Sequence, residues 1–204
     1  MRYVGNQPFK CLRRWLGLRF TLLFANGGAH TPEHYSRADA IQLLTRQQHD
    51  EALTAGIEST RLFHLPHGVD CTHFARPAAH GRDAARVARG IPTNAWVVLG
   101  VSALAMSEKR ADWLVREVER LGMEDAFLLL AGQEGPETGA LRRLAADLLP
   151  GRHAFTTVAP DQVRDLYWLA DVAALPSLRE GFGLAAIEAA AAGLPVLVHD
   201  SAHF

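Results

Sequence analysis

The feature that most constrains this chain is a regular alternation of apolar segments and helix-periodic segments from Trp96 onward. Short, fully apolar runs predict strands covered on both faces, and apolar residues three and four positions apart predict helices. The predicted strands are residues 96–100, 126–131, 153–158, 172–175 and 194–198. The predicted helices begin near Lys109 and then cover residues 141–148, 161–169 and 183–192. Such strict alternation indicates an α/β fold with a Rossmann-like, doubly wound parallel sheet.

The first 91 residues show a shorter alternation of predicted strands and helices. The elements predicted there are strands at residues 20–24, 40–44 and 61–65 and helices at residues 46–55 and 83–88. Residues 75–91 contain proline, glycine, alanine and arginine without a long apolar face, which is typical of a connection between domains. We therefore expect an α/β segment at residues 1–75, a connection at 76–91 and a sheet domain at 92–204.

Composition and charge narrow the classes of function. The 204 residues are 49% apolar and 21% charged, as in an ordinary globular protein. With a net charge of -1 the chain has no broad basic field, so nucleic acid is not expected as a partner. Its two cysteines form no disulfide framework, which favours a reducing compartment and a cytoplasmic location.

The sequence predicts neither a signal peptide nor a membrane span. Arg19 interrupts the apolar residues of segment 1–24, and no cleavage site of small residues follows. Residues 182–198 are the most apolar stretch, but they include Glu188, Gly193 and Pro195. We expect a buried helix and strand there instead of a transmembrane segment.

The loop of residues 176–183 is the richest candidate site, because ligands of open α/β sheets bind beyond the carboxyl ends of the strands. Gly181 and Gly183 before a helix let backbone amides approach a phosphate, unless they only shape the loop. Glu180 precedes that helix, and Glu188 lies eight positions further among apolar residues. A buried carboxylate needs a donor, so Glu188 either accepts from two sugar hydroxyls or pairs with an arginine.

Lys109 is the candidate cation of this site. It follows the strand at residues 96–100, where a helix is predicted to begin. Of the 21 basic residues only Lys10 and Lys109 are lysines. A cation at a helix start is unfavourable for the helix dipole, so we favour a role in neutralising a diphosphate over a solvated side chain.

A nicotinamide-dependent oxidoreductase is a second interpretation. Residues 181–186 match the dinucleotide fingerprint Gly-x-Gly-x-x-Ala, and Asp200 follows 19 positions after Gly181, near the spacing of the acid that binds the ribose. That fingerprint should follow its strand directly and open its domain. Here residues 176–180 intervene and the match lies at the end of the domain, which argues against this interpretation.

The ten histidines do not predict a metal centre. His64, His67 and His73 lie near one another, but their spacing matches no metal-binding helix and no cysteine pair supports them. The Gly-x-Ser-x-Gly sequence of serine hydrolases is also absent. We therefore expect no metal site and no serine nucleophile.

Four segments of the chain resemble the retaining GT-B glycosyltransferases of glycosyltransferase family 4 (group 1). They are residues 65–77, which open with LPHGVD; 100–114, with Lys109 and Asp112; 131–137, AGQEGPE; and 167–195, with REGFGL and both glutamates. The resemblance implies that residues 92–204 form the C-terminal donor domain of a GT-B fold. Residues 1–75 would be the end of a second Rossmann-like domain, which in this family binds the acceptor.

The resemblance also implies a role for each candidate residue. Catalytic roles fall to Glu180, at hydroxyls of the donor sugar, and to Lys109, at the diphosphate. The implied donor-binding residues are Glu188 at the ribose, Gly181, Phe182, Gly183 and Leu184 along the sugar and phosphates, and Val158 near the base. The family transfers a sugar from a nucleotide sugar to a glycan, lipid or small-molecule acceptor. It retains the anomeric configuration and uses no bound metal, so cations and helix-end amides would stabilise the departing charge.

The chain departs from the family pattern in two ways. Gly100 is followed by Val101 and Ser102 where the family has an arginine, and Lys109 is followed by Arg110 instead of glycine. The acceptor domain is represented by its last part only, and further elements of the family are expected after Phe204. We therefore expect an incomplete catalyst, with peripheral membrane contact assigned to the missing acceptor part. A non-catalytic nucleotide-binding module is the third interpretation.

Overall fold

The computed structural model describes residues 7–28, 30–77 and 81–200. Three predictions lie partly outside these residues: the start of segment 1–24, residues 78–80 of the connection, and the chain beyond Asp200. Two compact units are present. Among the described residues, the first unit contains the chain up to Gly68 together with Glu180–Phe182, and the second contains Val69–Arg179 and the chain from Gly183.

The first unit is a small α/β layer. Its elements are α1 (Gln7–Trp15), β1 (Leu23–Ala25), α2 (Pro32–Tyr35), β2 (Ala40–Leu43), α3 (Arg46–Thr54), a 3-10 turn (Ser59–Arg61) and β3 (Leu62–His64). The three strands are parallel in the order β1-β2-β3, over a core that includes Tyr35 and Ile41. Strand β1 begins later than predicted, because the carboxylate of Asp39 accepts the Leu22 amide at 2.8 Å before the ladder starts.

The second unit carries the regular alternation predicted from the sequence. Its elements are α4 (Cys71–Phe74), α5 (Arg82–Val87), β4 (Trp96–Val101), α6 (Ala111–Arg120), β5 (Ala126–Ala131), α7 (Thr138–Leu148), β6 (His153–Thr156), a 3-10 turn (Pro160–Gln162), α8 (Val163–Leu169), β7 (Val172–Leu175), α9 (Leu184–Ala191) and β8 (Val196–Val198). All five strands are parallel, in the order β6-β5-β4-β7-β8. The chain winds outward from β4 in both directions, so the doubly wound sheet is confirmed.

Alternating side chains of this sheet enter two separate cores. Val97 and Leu99 belong to the cluster that includes α8 and α9, whereas Val98 belongs to the cluster formed with α6 and α7. The apolar run Ala126–Ala131 divides between the two clusters in the same way. Burial on both faces is why these strands are continuous apolar runs, and why their bounds were predictable.

The predicted bounds differ from the structure where the backbone turns early. Helix α6 starts at Ala111, not at Lys109, because Arg110 has a left-handed backbone with φ 52° and caps the helix. Strand β6 ends at Thr156 instead of residue 158, and the helix predicted at 161–169 is a 3-10 turn followed by α8. Strand β8 begins at Val196, two residues later than predicted, because the chain after Gly193 first closes the end of α9.

The most apolar stretch, residues 182–198, is less buried than predicted. It forms α9 and β8, as expected, but β8 is an edge strand, and the side chain of Leu197 is 60% exposed. On α9, Ala189 is buried while Leu184 and Ile187 remain exposed. No helix in the described part of the chain is both long and apolar enough to cross a membrane.

Helix α5, within the predicted connection, is anchored by a buried arginine. Arg86 is 3% exposed and donates to the carbonyls of Leu169, Thr93 and Ala95 and to Asp171 Oδ2 at 2.8 Å. Asp171 also accepts from the Val97 amide and from Arg82. Burial disfavours the ionised form of Asp171, but these hydrogen bonds outweigh it and hold its pKa below the ordinary value. The network ties α5 to the starts of β4 and β7.

Candidate functional site

The two loops that the sheet topology brings together follow β4 and β7. The winding direction reverses between these neighbouring strands, and ligands of doubly wound sheets bind at that reversal. The backbone joins the loops directly, since the Leu178 amide donates to the Glu108 carbonyl at 3.0 Å. The structure thus places the Lys109 loop and residues 176–179 of the second loop at one edge of the second unit.

The loop that carries Lys109 is fixed from the start of α7. Glu137 Oε2 accepts the amides of Met106 at 2.7 Å and Ser107 at 3.3 Å, and these bonds hold the pKa of Glu137 below its ordinary value. The Thr138 hydroxyl donates to the Leu104 carbonyl at 3.1 Å. Lys109 is partly buried in this anchored loop, two residues before α6. The sequence prediction did not include Glu137 as a site residue.

Arg110, the residue after Lys109, stacks on a tryptophan of α6. Its guanidinium carbon lies 5.0 Å from the centre of the Trp113 ring, a cation–π arrangement one turn along α6. The left-handed backbone at Arg110 is unusual for a residue other than glycine. Arg110 therefore has a structural partner, which argues against its replacing the arginine absent after Gly100.

Gly183 shapes the start of α9 as the sequence predicts. It adopts φ 76° at the N-cap, a left-handed backbone that glycine reaches without strain. Its carbonyl accepts the amides of Ala186 and Ile187, which closes the first turn. Leu184 and Ala185 are the first residues of α9. Their amides lie at the positive end of the helix dipole, where backbone donors can bind an anion.

Glu188 lies on α9 with a tyrosine as its partner, not an arginine. The Tyr167 hydroxyl donates to Glu188 Oε2 at 2.9 Å, from a side chain that is fully buried in the core. Burial raises the pKa of Glu188 above its ordinary value, while the tyrosine hydrogen bond and nearby His73 act in the opposite direction. Among the described residues, no arginine pairs with Glu188. Tyr167 opens one of the segments that resemble the family, but the sequence prediction did not include it as a site residue.

Glu180, Gly181 and Phe182 belong to the first unit. The buried Gln48 side chain donates to the Gly181 carbonyl at 3.1 Å, and the ring of His67 meets that of Phe182 edge-on, with centroids 5.6 Å apart. Glu180 is partly buried. The structure thus divides the predicted site residues: these three lie in the first unit, and Lys109, Val158, Gly183, Leu184 and Glu188 lie in the second.

Val158 lies just beyond the end of β6. Its partly buried side chain packs against the core cluster on the α8 and α9 side of the sheet. The neighbouring Thr157 hydroxyl donates to the Gly132 carbonyl at 2.8 Å, which joins this loop to the one after β5. Val158 is therefore held at the same carboxyl edge of the sheet as the Lys109 loop.

The oxidoreductase interpretation gains no support from the geometry. Strand β7 ends at Leu175, so five residues separate it from Gly181, and the dinucleotide fingerprint does not follow its strand.

His73, one of the histidines considered as metal ligands, accepts at Nδ1 from Arg164, 2.9 Å away. In residues 7–28, 30–77 and 81–200, no three histidine, cysteine or acidic side chains are grouped to bind a metal.

An apolar groove of about 290 Å³ lies elsewhere on the second unit. It runs beside α6, and its lining includes Trp113, Val118, Val172 and Leu197. Few of its lining groups are polar, so it does not match a ligand that carries phosphates and sugar hydroxyls. The strand-end loops remain the candidate site.

Comparison with known proteins decides the family. The sequence model of a family described as glycosyl transferases group 1 matches residues 95–204, more than half of the chain. The chain belongs to the group 1 glycosyltransferases. The family predicted from the four segments is thereby confirmed.

Two curated group 1 relatives show what the chain is similar to. A D-inositol 3-phosphate glycosyltransferase of Xylanimonas cellulosilytica is 32% identical over 168 residues, which are 78% of this chain and 40% of that protein. A GDP-mannose-dependent alpha-(1-6)-phosphatidylinositol monomannoside mannosyltransferase of Mycolicibacterium smegmatis is 31% identical, covering 80% of this chain and 45% of that protein. The chain thus spans about two fifths of the length of these relatives.

Solved structures show the same fold. HepE of Anabaena, crystallised with UDP, superposes with a TM-score of 0.77 at 19% identity, covering 94% of this chain and 56% of that one. WaaG, a glycosyltransferase involved in lipopolysaccharide biosynthesis, superposes with a TM-score of 0.68 at 24% identity, covering 81% of this chain and 48% of that one. Both likenesses confirm a Rossmann-like domain of the GT-B type.

Proposed function

We propose that the second unit binds a nucleoside-diphosphate sugar at its strand-end loops. The observation that carries the proposal is the start of α9, which Gly183 caps with a left-handed backbone and which Glu188 follows one turn further on. The first amides of a helix have no acceptor within the helix. Amides at a helix start suit a diphosphate, and a carboxylate suits the vicinal hydroxyls of a ribose. The match to the group 1 family supports this assignment.

In this proposal each candidate residue has a chemical task. Lys109 and the amides at Gly183 and Leu184 neutralise the diphosphate as the bond to the sugar breaks. Glu188 accepts from the ribose, and the loop at Val158 lies beside the base. No step in the scheme calls for a metal ion.

In this proposal the three candidate residues of the first unit also have a chemical task. Glu180 accepts from hydroxyls of the donor sugar, and Gly181 and Phe182 line the sugar and phosphates. Support comes from the fixed backbone of this loop, whose Gly181 carbonyl is hydrogen-bonded by Gln48. A fixed carboxylate orients a sugar more effectively than a mobile one does.

We further propose that the whole protein, of which this chain supplies the donor part, transfers the sugar with retention of configuration to a glycan, lipid or small-molecule acceptor. The names of the two curated relatives favour an acceptor that contains inositol. The two free cysteines fit a cytoplasmic location, and the near-neutral net charge fits a role without nucleic acid. Peripheral membrane contact would belong to the remainder of the acceptor domain.

A nucleotide-binding module without catalysis is the second candidate. It is favoured by the missing arginine after Gly100 and by the engagement of Arg110 with Trp113, since together they leave fewer cations for the diphosphate. The two candidates share donor binding and differ in sugar transfer. An assay with the acceptor domain supplied in full separates them, because only the first predicts a glycosylated product.

Replacing Glu188 with alanine is expected to weaken binding of UDP or GDP by about 10- to 100-fold. The reason is the loss of two hydrogen bonds that ribose hydroxyls donate to a charged acceptor, each worth about 1.5–3 kcal/mol, partly offset by water. Isothermal titration calorimetry of the full chain with each nucleotide measures the effect. Glu119→Ala is the matched control, because Glu119 is an exposed carboxylate on α6. Equal affinities in wild type and Glu188→Ala would contradict the proposed ribose contact.

A further inference from the structure

The partner of Glu188 reaches the site from the interior of the protein. Tyr167 lies on α8 with its side chain fully buried, and its ring meets Phe74 edge-on with centroids 6.0 Å apart. Only the hydroxyl extends to α9, where it lies 2.9 Å from Glu188 Oε2 and 3.2 Å from the Ala185 carbonyl. The buried ring therefore directs the hydroxyl at its tip toward α9.

A single hydroxyl proton cannot serve both acceptors fully. The Ala185 carbonyl alone would satisfy a buried tyrosine, so the shorter contact to Glu188 goes beyond what burial requires. The carboxylate, by contrast, has no other hydrogen-bond donor among the described residues. This contact leaves Glu188 Oε1 open to a ligand.

We infer that Tyr167 is a positioning residue: its hydroxyl fixes the Glu188 carboxylate through Oε2 and presents Oε1 to a vicinal diol of the bound nucleotide. This inference rests on the proposed function of the donor site. A ligand-binding group held by a buried partner loses less freedom when the ligand binds. Tyr167 does not touch the ligand itself.

The charge balance around Glu188 agrees with this role. Burial raises the pKa of Tyr167, so the hydroxyl remains a proton donor at neutral pH. The groups that face Glu188 are Tyr167 from α8 and His73 from α4, while β7 and β8 contain no titratable side chain. His73 is itself held at Nδ1 by Arg164, which leaves its other ring nitrogen as the proton-bearing one when the ring is neutral.

Tyr167→Phe removes only the hydroxyl and tests the inference. We expect UDP or GDP to bind about 5- to 10-fold more weakly at neutral pH. The hydrogen bond from Tyr167 lowers the pKa of Glu188, so Tyr167→Phe should raise this pKa. As the pH is lowered, nucleotide binding by the variant should therefore begin to weaken at a higher pH than in wild type. In the Glu188→Ala background, Tyr167→Phe should change affinity by less than about twofold.

Tyr35→Phe is the matched control, because Tyr35 is also fully buried but its hydroxyl has no hydrogen-bond partner in the described part of the chain. A carboxyl carbon NMR titration of Glu188 supplies a readout that needs no ligand. An unmoved Glu188 titration in Tyr167→Phe, or an equal loss of affinity in both backgrounds, would overturn the inference. Failure of the unmodified chain to bind either nucleotide, with the Glu188 titration still shifted, would overturn the proposed function instead.

Discussion

Replacing Arg86 with alanine is expected to lower the free energy of unfolding of the second unit by about 3–5 kcal/mol. The side chain is buried, and its guanidinium serves the carbonyls of Leu169, Thr93 and Ala95 as well as Asp171. Alanine removes the arginine donor from the carbonyls of Thr93 and Ala95 and leaves the Leu169 carbonyl with the longer contacts from Arg82. It also leaves the Asp171 carboxylate with only part of its charge compensation. Substitutions that remove one residue from a buried, charged hydrogen-bond network are among the most destabilising single substitutions.

Urea unfolding followed by tryptophan fluorescence measures this effect, since Trp96, Trp113 and Trp168 all lie in the second unit. Arg89→Ala is the control, because Arg89 is exposed near the end of the same helix, and it should change stability by less than about 0.5 kcal/mol. Because the pKa of Asp171 is lowered, its contribution is present above the ordinary carboxyl pKa and is lost as the pH falls through the lowered value. Equal stability of the Arg86 and Arg89 variants would contradict a stabilising role of the Arg86 network.

Gly132→Ala should destabilise the same unit by about 3 kcal/mol or more, because a Cβ at this position would lie 1.7 Å from the Ser102 carbonyl oxygen. The colliding atom belongs to the backbone, so a change of side-chain rotamer cannot relieve the overlap. The collision lies where the Lys109 loop leaves β4. We therefore expect nucleotide affinity to fall together with stability.

Gly135→Ala is the control for this substitution, since a Cβ at Gly135 meets no atom within 4 Å. Thermal unfolding of the two variants measures the change in stability. Calorimetric titration with UDP, at a temperature below both unfolding transitions, measures the change in nucleotide affinity separately. A Gly132→Ala protein as stable as Gly135→Ala would contradict the close approach of the loops after β4 and β5.

The fold of the second unit was predictable because its central strands are buried on both faces. Trp96–Val101, Ala126–Ala131 and Val172–Leu175 are apolar runs with no polar interruption, and their bounds match the prediction within one residue. Edge elements were less predictable. Strand β8 has exposed side chains despite an apolar sequence, because one side of an edge strand has no neighbour in the sheet.

The candidate site was predictable only where the local sequence carries the chemistry. The turn at Gly183 and the isolated carboxylate of Glu188 are visible as a glycine before a helix and an acid among alanines. Tyr167, Glu137 and Arg86 were missed, because their partners lie 21, 31 and 85 residues away in the sequence. Long-range hydrogen bonds leave no periodicity in a sequence, and a buried tyrosine looks like any core residue.

Under the proposed function, a nucleoside diphosphate binds at the strand-end loops of the second unit. Hydrogen–deuterium exchange of the full chain, with and without saturating UDP or GDP, locates the binding surface directly. We expect slower exchange in residues 102–110 and 183–190 and unchanged exchange in β2. Protection confined to the apolar groove beside α6, or no protection at either loop when calorimetry shows binding, would contradict this expectation.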